Sequence, residues 1–188
     1  MRTGQPLPRG RGSVSAGSAY RAATKRSGGV PHKPHLIGLI ADTHGLLRDE
    51  AVQALKGSEL IIHAGDVGKP EILHALNSLA PVVAVRGNID TAAWALTLPT
   101  TAVADVASVI IYVIHDVHDL DPAAIGFQIV VSGHSHKPSR TERNGVLYVN
   151  PGSAGPRRFQ LPVTVARLDL SQKPWNVEFI ELSSAASS

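Results

Sequence analysis

The feature that most constrains this chain is a rhythm of short apolar runs, each ending at a turn that carries aspartate, asparagine or histidine. Residues 36–41 lead into Asp42-Thr43-His44-Gly45, residues 60–64 into Gly65-Asp66, and residues 82–85 into Gly87-Asn88. Runs of this length bounded by turn residues read as buried strands. Between them lie stretches of helical periodicity. Over 48–56 the apolar positions are Ala51, Val52, Ala54 and Leu55, with Gly57 as the stop. Pro70 suits a helix start, and Ile72, Leu73, Leu76 and Leu79 mark its inward face. Strand, loop and helix in repetition predict parallel strands with right-handed crossovers.

The second half is richer in strands. Residues 101–106 and 109–114 read as a pair, followed by His115, and 127–131 runs into Gly133-His134-Ser135-His136. Residues 146–149 lead to Asn150-Pro151-Gly152-Ser153, and 163–170 with 175–182 alternate like a closing hairpin. So many strands exceed one parallel sheet. The expectation is an α/β protein with two stacked mixed sheets and helices outside.

Charge divides the chain. Residues 1–34 hold seven Lys or Arg and no acid, whereas 35–188 hold eleven basic and fifteen acidic groups, a net −4. The first segment, rich in Gly, Ser, Pro and Arg, reads as a disordered basic extension. It lacks the apolar stretch of a secretory signal. Its composition also occurs in organellar transit peptides and in basic arms for nucleic acid, but a solvated extension is the reading adopted. The domain is expected over 35–182, with 183–188 a short tail. The near-continuous apolar run 106–114 falls far short of the ~18 residues of a membrane helix, so no membrane is expected. The chain has no cysteine, which excludes disulfides and thiolate chemistry and fits a reducing cytoplasm. Its eight aromatic residues are too few to suggest a base-stacking platform.

Every candidate polar cluster follows a predicted strand, where open α/β sheets collect ligands. Five strand ends carry Asp42 with His44, Asp66, Asn88, His115, and His134 with His136. Residues two apart in an extended segment face the same way, so each His or Asp pair can converge. Carboxylate, carboxamide and imidazole without sulfur suit Mn²⁺, Fe²⁺, Zn²⁺, Ni²⁺ or Co²⁺. Seven such groups exceed one tetrahedral ion and suit two, a carboxylate being able to join them.

The blocks Asp42-x-His44, Gly65-Asp66, Gly87-Asn88-x-Asp90, His115 and Gly133-His134-x-His136 resemble the calcineurin-like metallophosphoesterase superfamily. With Asn150-Pro151-Gly152-Ser153, the resemblance is to its small single-domain bacterial and archaeal phosphodiesterase branch, over about residues 35–182. It implies a four-layer α/β/β/α sandwich and a cofactor of two divalent metal ions, manganese first. It also implies a phosphodiester substrate attacked by a metal-bridging hydroxide. By resemblance, Asp42, His44, Asp66 and His136 hold one metal and Asp66, Asn88, His115 and His134 the other. Asp66 then bridges, and Asp66, Asn88 and His134 place the hydroxide and the phosphate. Two departures stand out. Relatives commonly have glycine after the histidine matching His115, where this chain has Asp116-Val117-His118. Many also have histidine after the matching asparagine, where this chain has Ile89.

Other residues read as structural. His63 is expected to pack within its strand, and His74 to be structural or exposed. His32 and His35 are expected in solvent, and Asp119 and Asp121 at a helix start before Pro122. Asp90 reads as a loop cap or as an orienter of a ligand. Two other functions compete: a catalytically weak scaffold like the retromer subunit of the same fold, and a nucleic-acid-binding protein using the basic extension. The full ligand set favours the enzyme, and the net-negative body opposes a broad phosphate-binding surface. A homo-oligomer is compatible with the sequence.

Overall fold

The computed structural model describes residues 19–21 and 35–182, apart from positions 122, 125 and 159. Strands β2 (Leu36–Ile40), β3 (Leu60–His63) and β4 (Val82–Ala84) run parallel, joined by helices α1 (Asp49–Leu55) and α2 (Pro70–Asn77). Strands β10 (Thr164–Asp169) and β11 (Asn176–Glu181) add antiparallel neighbours, giving a five-stranded sheet in the order β11-β10-β2-β3-β4.

The second sheet has six strands, ordered β1-β5-β6-β7-β9-β8. It comprises β1 (Ala19–Arg21), β5 (Thr101–Val106), β6 (Val109–Ile114), β7 (Ile129–Val131), β8 (Ser139–Arg143) and β9 (Val146–Asn150). Here β6, β7 and β9 are mutually parallel, while β5 and β8 pair antiparallel with β6 and β9. The α/β class with two stacked mixed sheets is as the patterning predicts.

Alternation within strands separates two apolar layers. Ile37, Leu39 and Ile62 face Ile111, Val113, Ile129 and Val131 between the sheets. Ile40, Ile61 and Val165 face outward and meet Ala51 and Leu55 of α1 and Ile72 and Leu76 of α2. Both helical pairs are four residues apart, so the two helices together seal the outer face of the five-stranded sheet. Pro70 sits in the first turn of α2, where its missing N–H costs nothing.

Three details depart from the sequence reading. Ala19–Arg21, within the extension expected to be disordered, forms β1 and pairs in parallel with the edge strand β5, whose unpaired backbone groups accept it. The rest of that extension, with His32, and the tail 183–188 lie outside the described residues. Asp119 and Asp121 do not start an α-helix: Val117–Asp119 is a 3₁₀ turn, and the Asp121 carboxylate accepts the Ala123 N–H at 2.8 Å. Strand β8 carries no apolar signal in the sequence, because Ser139–Arg143 is polar and exposed. Its signal lay in Asn144-Gly145, both at positive φ, a two-residue hairpin turn.

Candidate metal centre

All strands of the β2-β3-β4 and β6-β7-β9 sets point their carboxyl ends to one edge. The loops there bring all seven predicted residues together. Asp42 and Asp66 form the buried floor, His115 and His136 are buried walls, His44 is half-buried, and Asn88 and His134 are exposed at the rim. Two groups converge closely enough to share a cation: Asp42 with His44 and His136, and Asp42 with Asp66 and His115. Asp42 thus belongs to both. Asp66 spans the same two halves, its Oδ2 3.9 Å from His44 Nε2 and its Oδ1 3.4 Å from His115 Nε2.

The backbone is bent sharply to achieve this. Asp42, His44, Asp66, His134 and His136 all have φ between 46° and 65°, a region non-glycine residues seldom occupy. Two glycines admit the close approach. A Cβ on Gly65 would lie 2.6 Å from His115 Nδ1, and one on Gly87 would run into the Asp66 carboxylate. Asp90, buried, accepts the N–H groups of Val67, Gly68 and Gly87 at 2.8–3.0 Å and so ties the β3 loop to the β4 loop. Asn150 donates to the Gly133 carbonyl and to Ser135 Oγ, and Ser153 Oγ donates to the Asp42 carbonyl. The Asn-Pro-Gly-Ser turn is therefore a brace under two ligand loops.

The donor set fits a cation on chemical grounds. His115 Nδ1 lies 2.8 Å from the Ala64 carbonyl, which can only accept, so Nδ1 carries the proton. Its Nε2 then faces Asn88 Oδ1 at 3.0 Å and Asp66 Oδ1 at 3.4 Å. Two acceptor oxygens converging on that nitrogen call for positive charge, met by a proton on Nε2 or by a cation in its place. Burial lowers the His115 pKa, yet Asp66, the Ala64 carbonyl and the Asp42 charge outweigh it and hold it above its ordinary value. Burial pushes the Asp42 carboxyl up to about 7, against the pull of His115, and Asp42 Oδ2 is buried without a partner among the described residues. Such a carboxylate is costly to ionise unless a cation sits beside it. Burial would raise Asp66 too, but His115 and the Ile89 N–H, with His44 nearby, hold it below the ordinary range. Burial, then Arg158 and His44, lower His136 to about 4, leaving a neutral imidazole able to ligate.

The remaining residues fall as follows. His63 is fully buried in β3 with Nε2 3.0 Å from Thr43 Oγ1, a structural histidine as expected. His74 is exposed. His35 is half-buried and paired with Glu59 at 2.9 Å rather than left to solvent, because β2 starts beside the Glu59 turn. His118 is exposed, its Nδ1 2.8 Å from Asp116 Oδ1, so His115 and not His118 enters the site. Two residues went unread in the sequence. Arg158 Nη2 donates to His44 Nε2 at 3.4 Å, and Asp116 Oδ2 lies 3.6 Å from His134 Nε2. The basic pair after Gly155-Pro156 was the available signal for the first, and the replacement of glycine after His115 for the second.

Comparison with known proteins settles the family. The model of the calcineurin-like phosphoesterase superfamily domain matches residues 36–173. The chain belongs to the calcineurin-like phosphoesterase superfamily. It is 34% identical over 149 residues to a probable metallophosphoesterase of Methanothermobacter thermautotrophicus, covering 71% of this chain and 86% of that one. An archaeal phosphodiesterase superposes with a TM-score of 0.63 at 20% identity, covering 77% and 99% of the two chains. Vps29 of Chaetomium thermophilum does so at 0.63 and 18% identity, covering 78% and 96%. At these identities the structural likenesses speak to the fold. Family membership makes this calcineurin-like phosphoesterase a metal-dependent hydrolase of phosphate esters. No helix among the described residues is long and apolar enough to cross a membrane.

Proposed function

We propose that this calcineurin-like phosphoesterase is a dinuclear phosphodiesterase, with residues 35–182 as its catalytic unit. Asp42, His44, Asp66 and His136 would hold one divalent ion, and Asp66, Asn88, His115 and His134 the other. The observation that carries the reading is the convergence of His115 Nε2 with the acceptor oxygens of Asn88 and Asp66. Asp66 is assigned as the bridge because its two oxygens face different imidazoles, those of His44 and His115. When bound, such ions supply Lewis-acid charge to the phosphoryl oxygens and activate water. Manganese is proposed first, with iron, zinc, nickel and cobalt as alternatives for a sulfur-free donor set. The cytoplasm is the proposed compartment, on the cysteine-free sequence.

The side chains divide the remaining work. The Ala64 carbonyl fixes the His115 tautomer and ring orientation. Asn88 Oδ1 and His134 Nδ1, 3.1 Å apart at the exposed rim, position the phosphate where substrate can reach it. Arg158 donates to His44 Nε2, and with that nitrogen holding an ion its N–H would be free to bind a phosphate oxygen. Diester preference is supported by Asp116 beside His134, whose negative charge at the mouth repels a monoester dianion more than a diester monoanion. A scaffold function is not favoured, since every ligand candidate is present and assembled.

The test is hydrolysis of bis(4-nitrophenyl) phosphate and 4-nitrophenyl phosphate by protein reconstituted with each ion, alongside metal counting. Two ions per chain and faster diester turnover are expected. One ion at full activity, or faster monoester turnover, would overturn the assignment.

A further inference from the structure

Beside Asn88, His115 and His134 opens a cavity of about 450 Å³ that continues to Arg86, Thr101 and Asp119. Its size falls in the range of small-molecule sites, ~300–1,000 Å³. Because it begins at the proposed phosphate position, a group esterified to that phosphate has this space to enter.

Two residues of opposite charge line it, half-buried Arg86 and exposed Asp119. The half-buried Arg86 guanidinium makes no hydrogen bond or ion pair among the described residues, its backbone N–H alone being engaged, by the Pro99 carbonyl. The Asp119 carboxylate is likewise without a partner there, and the two residues do not pair with each other across the cavity. Asp116, by contrast, is already engaged by His118 and His134. A half-buried cation and an anion held apart over an open cavity suit an arm presenting acceptors on one edge and donors on another. A plain alkyl or aryl arm presents neither. Guanine matches both: O6 and N7 take a bidentate guanidinium, and N1–H with the exocyclic amine can donate to a carboxylate. The net −4 of residues 35–188 disfavours a long polyanion, so a mononucleotide ester is the fitting size.

We infer that this cavity is a base-recognition subsite, in which Arg86 and Asp119 hold the guanine of a guanosine phosphodiester while the centre cleaves its other ester bond. The inference rests on the phosphodiesterase reading. Water adds to phosphorus, the bond to the leaving oxygen breaks, that oxygen departs as the phenol or phenolate, and guanosine monophosphate remains.

The experiment compares guanosine 5′-(4-nitrophenyl phosphate) with methyl 4-nitrophenyl phosphate on the metal-loaded full chain. The leaving group is identical and only the arm differs. The guanosine ester is expected to have a kcat/KM about ten-fold or more above the methyl ester, the scale of one bidentate pair to a base edge. Arg86→Met and Asp119→Asn should each remove most of that advantage and leave the methyl ester within about two-fold of the parent. Equal rates for the two esters, or variants that keep the ratio, would overturn the subsite. Should neither ester be cleaved, the phosphodiesterase reading fails instead. Guanosine monophosphate binding by calorimetry then decides the subsite: binding weakened by Arg86→Met and by Asp119→Asn supports it, and no binding or unchanged binding overturns it.

Discussion

The Nε2 atoms of His44 and His136 face each other at 3.3 Å, with Arg158 donating to the first and Asp42 Oδ1 3.4 Å from the second. Burial keeps both imidazoles below their ordinary pKa. Two neutral ring nitrogens this close to a buried carboxylate make a pocket that a cation completes. Chelated protein, verified metal-free, is therefore expected to lose hydrolysis and to melt lower. Re-adding Mn²⁺ at a hundred times its Kd should restore about 2.7 kcal/mol of stability for each ion bound. Full activity without metal would refute the centre.

Asp66 and His63 should separate cleanly on mutation. Asp66→Asn is expected to lower metal content and rate together, because one of its two facing oxygens becomes an amide. His63→Gln should keep metal and lose stability, since His63 is fully buried against Thr43. Metal analysis and urea melts on both variants check this, and equal metal loss would contradict the assignment.

His63 also sets a pH dependence. The Thr43 hydroxyl donates to the Val67 carbonyl, so His63 Nε2 donates to it and Nδ1 stays unprotonated. Burial lowers the His63 pKa from its ordinary 6.5 to about 4. The unfolded chain thus takes up a proton below about pH 6.5 that the folded state refuses until about pH 4. Stability is full above that window and falls as pH drops through it. One pKa unit is worth about 1.36 kcal/mol, so the loss is on the order of a few kcal/mol. Melts of metal-free protein at neutral and mildly acid pH should show this loss, reduced in His63→Gln.

Arg158→Met should raise KM for diesters and weaken inhibition by inorganic phosphate about ten-fold, with metal content unchanged. A fall in bound metal instead would mean that Arg158 supports the ligands rather than the substrate.

Ile89, exposed beside Asn88, cannot protonate a leaving oxygen. Asp90 is fully occupied by three N–H groups and cannot take that role. Rates over a series of aryl and alkyl diesters should therefore fall steeply with leaving-group pKa. Ile89→His should flatten the series, general acid help being worth ~10²–10⁴-fold for poor leaving groups. A flat series in the parent protein would point to another acid.

Deleting residues 2–34 removes β1 from the β5 edge but no candidate ligand. Turnover of a small diester should stay within about two-fold, with a modest loss of stability from the exposed edge. Loss of most of the rate in a folded, metal-replete truncation would show that the extension serves the site.

The seven ligand candidates were legible because each lies at a strand end, and strand ends are marked locally by an apolar run stopping at Gly, Asp, Asn or His. Paired runs such as Thr101–Val106 and Val109–Ile114 were legible because alternation is a local consequence of the pleat. β8 was not, because an edge strand held by backbone pairing to β9 needs no apolar side chains. Arg158 and His44 are 114 residues apart, and no local pattern couples a surface arginine to a distant imidazole. The sequence by itself determined which groups reach the carboxyl edge of the sheets, since backbone periodicity and turn chemistry act over a few residues. Only the tertiary structure decided that Asp42 touches both halves and that Arg158 and Asp116 stand beside the ligand imidazoles. It also decided that Arg86 and Asp119 stand apart across one cavity. Those are facts of packing between strands far apart in the chain, where burial and electrostatics select among side chains that local pattern leaves equivalent.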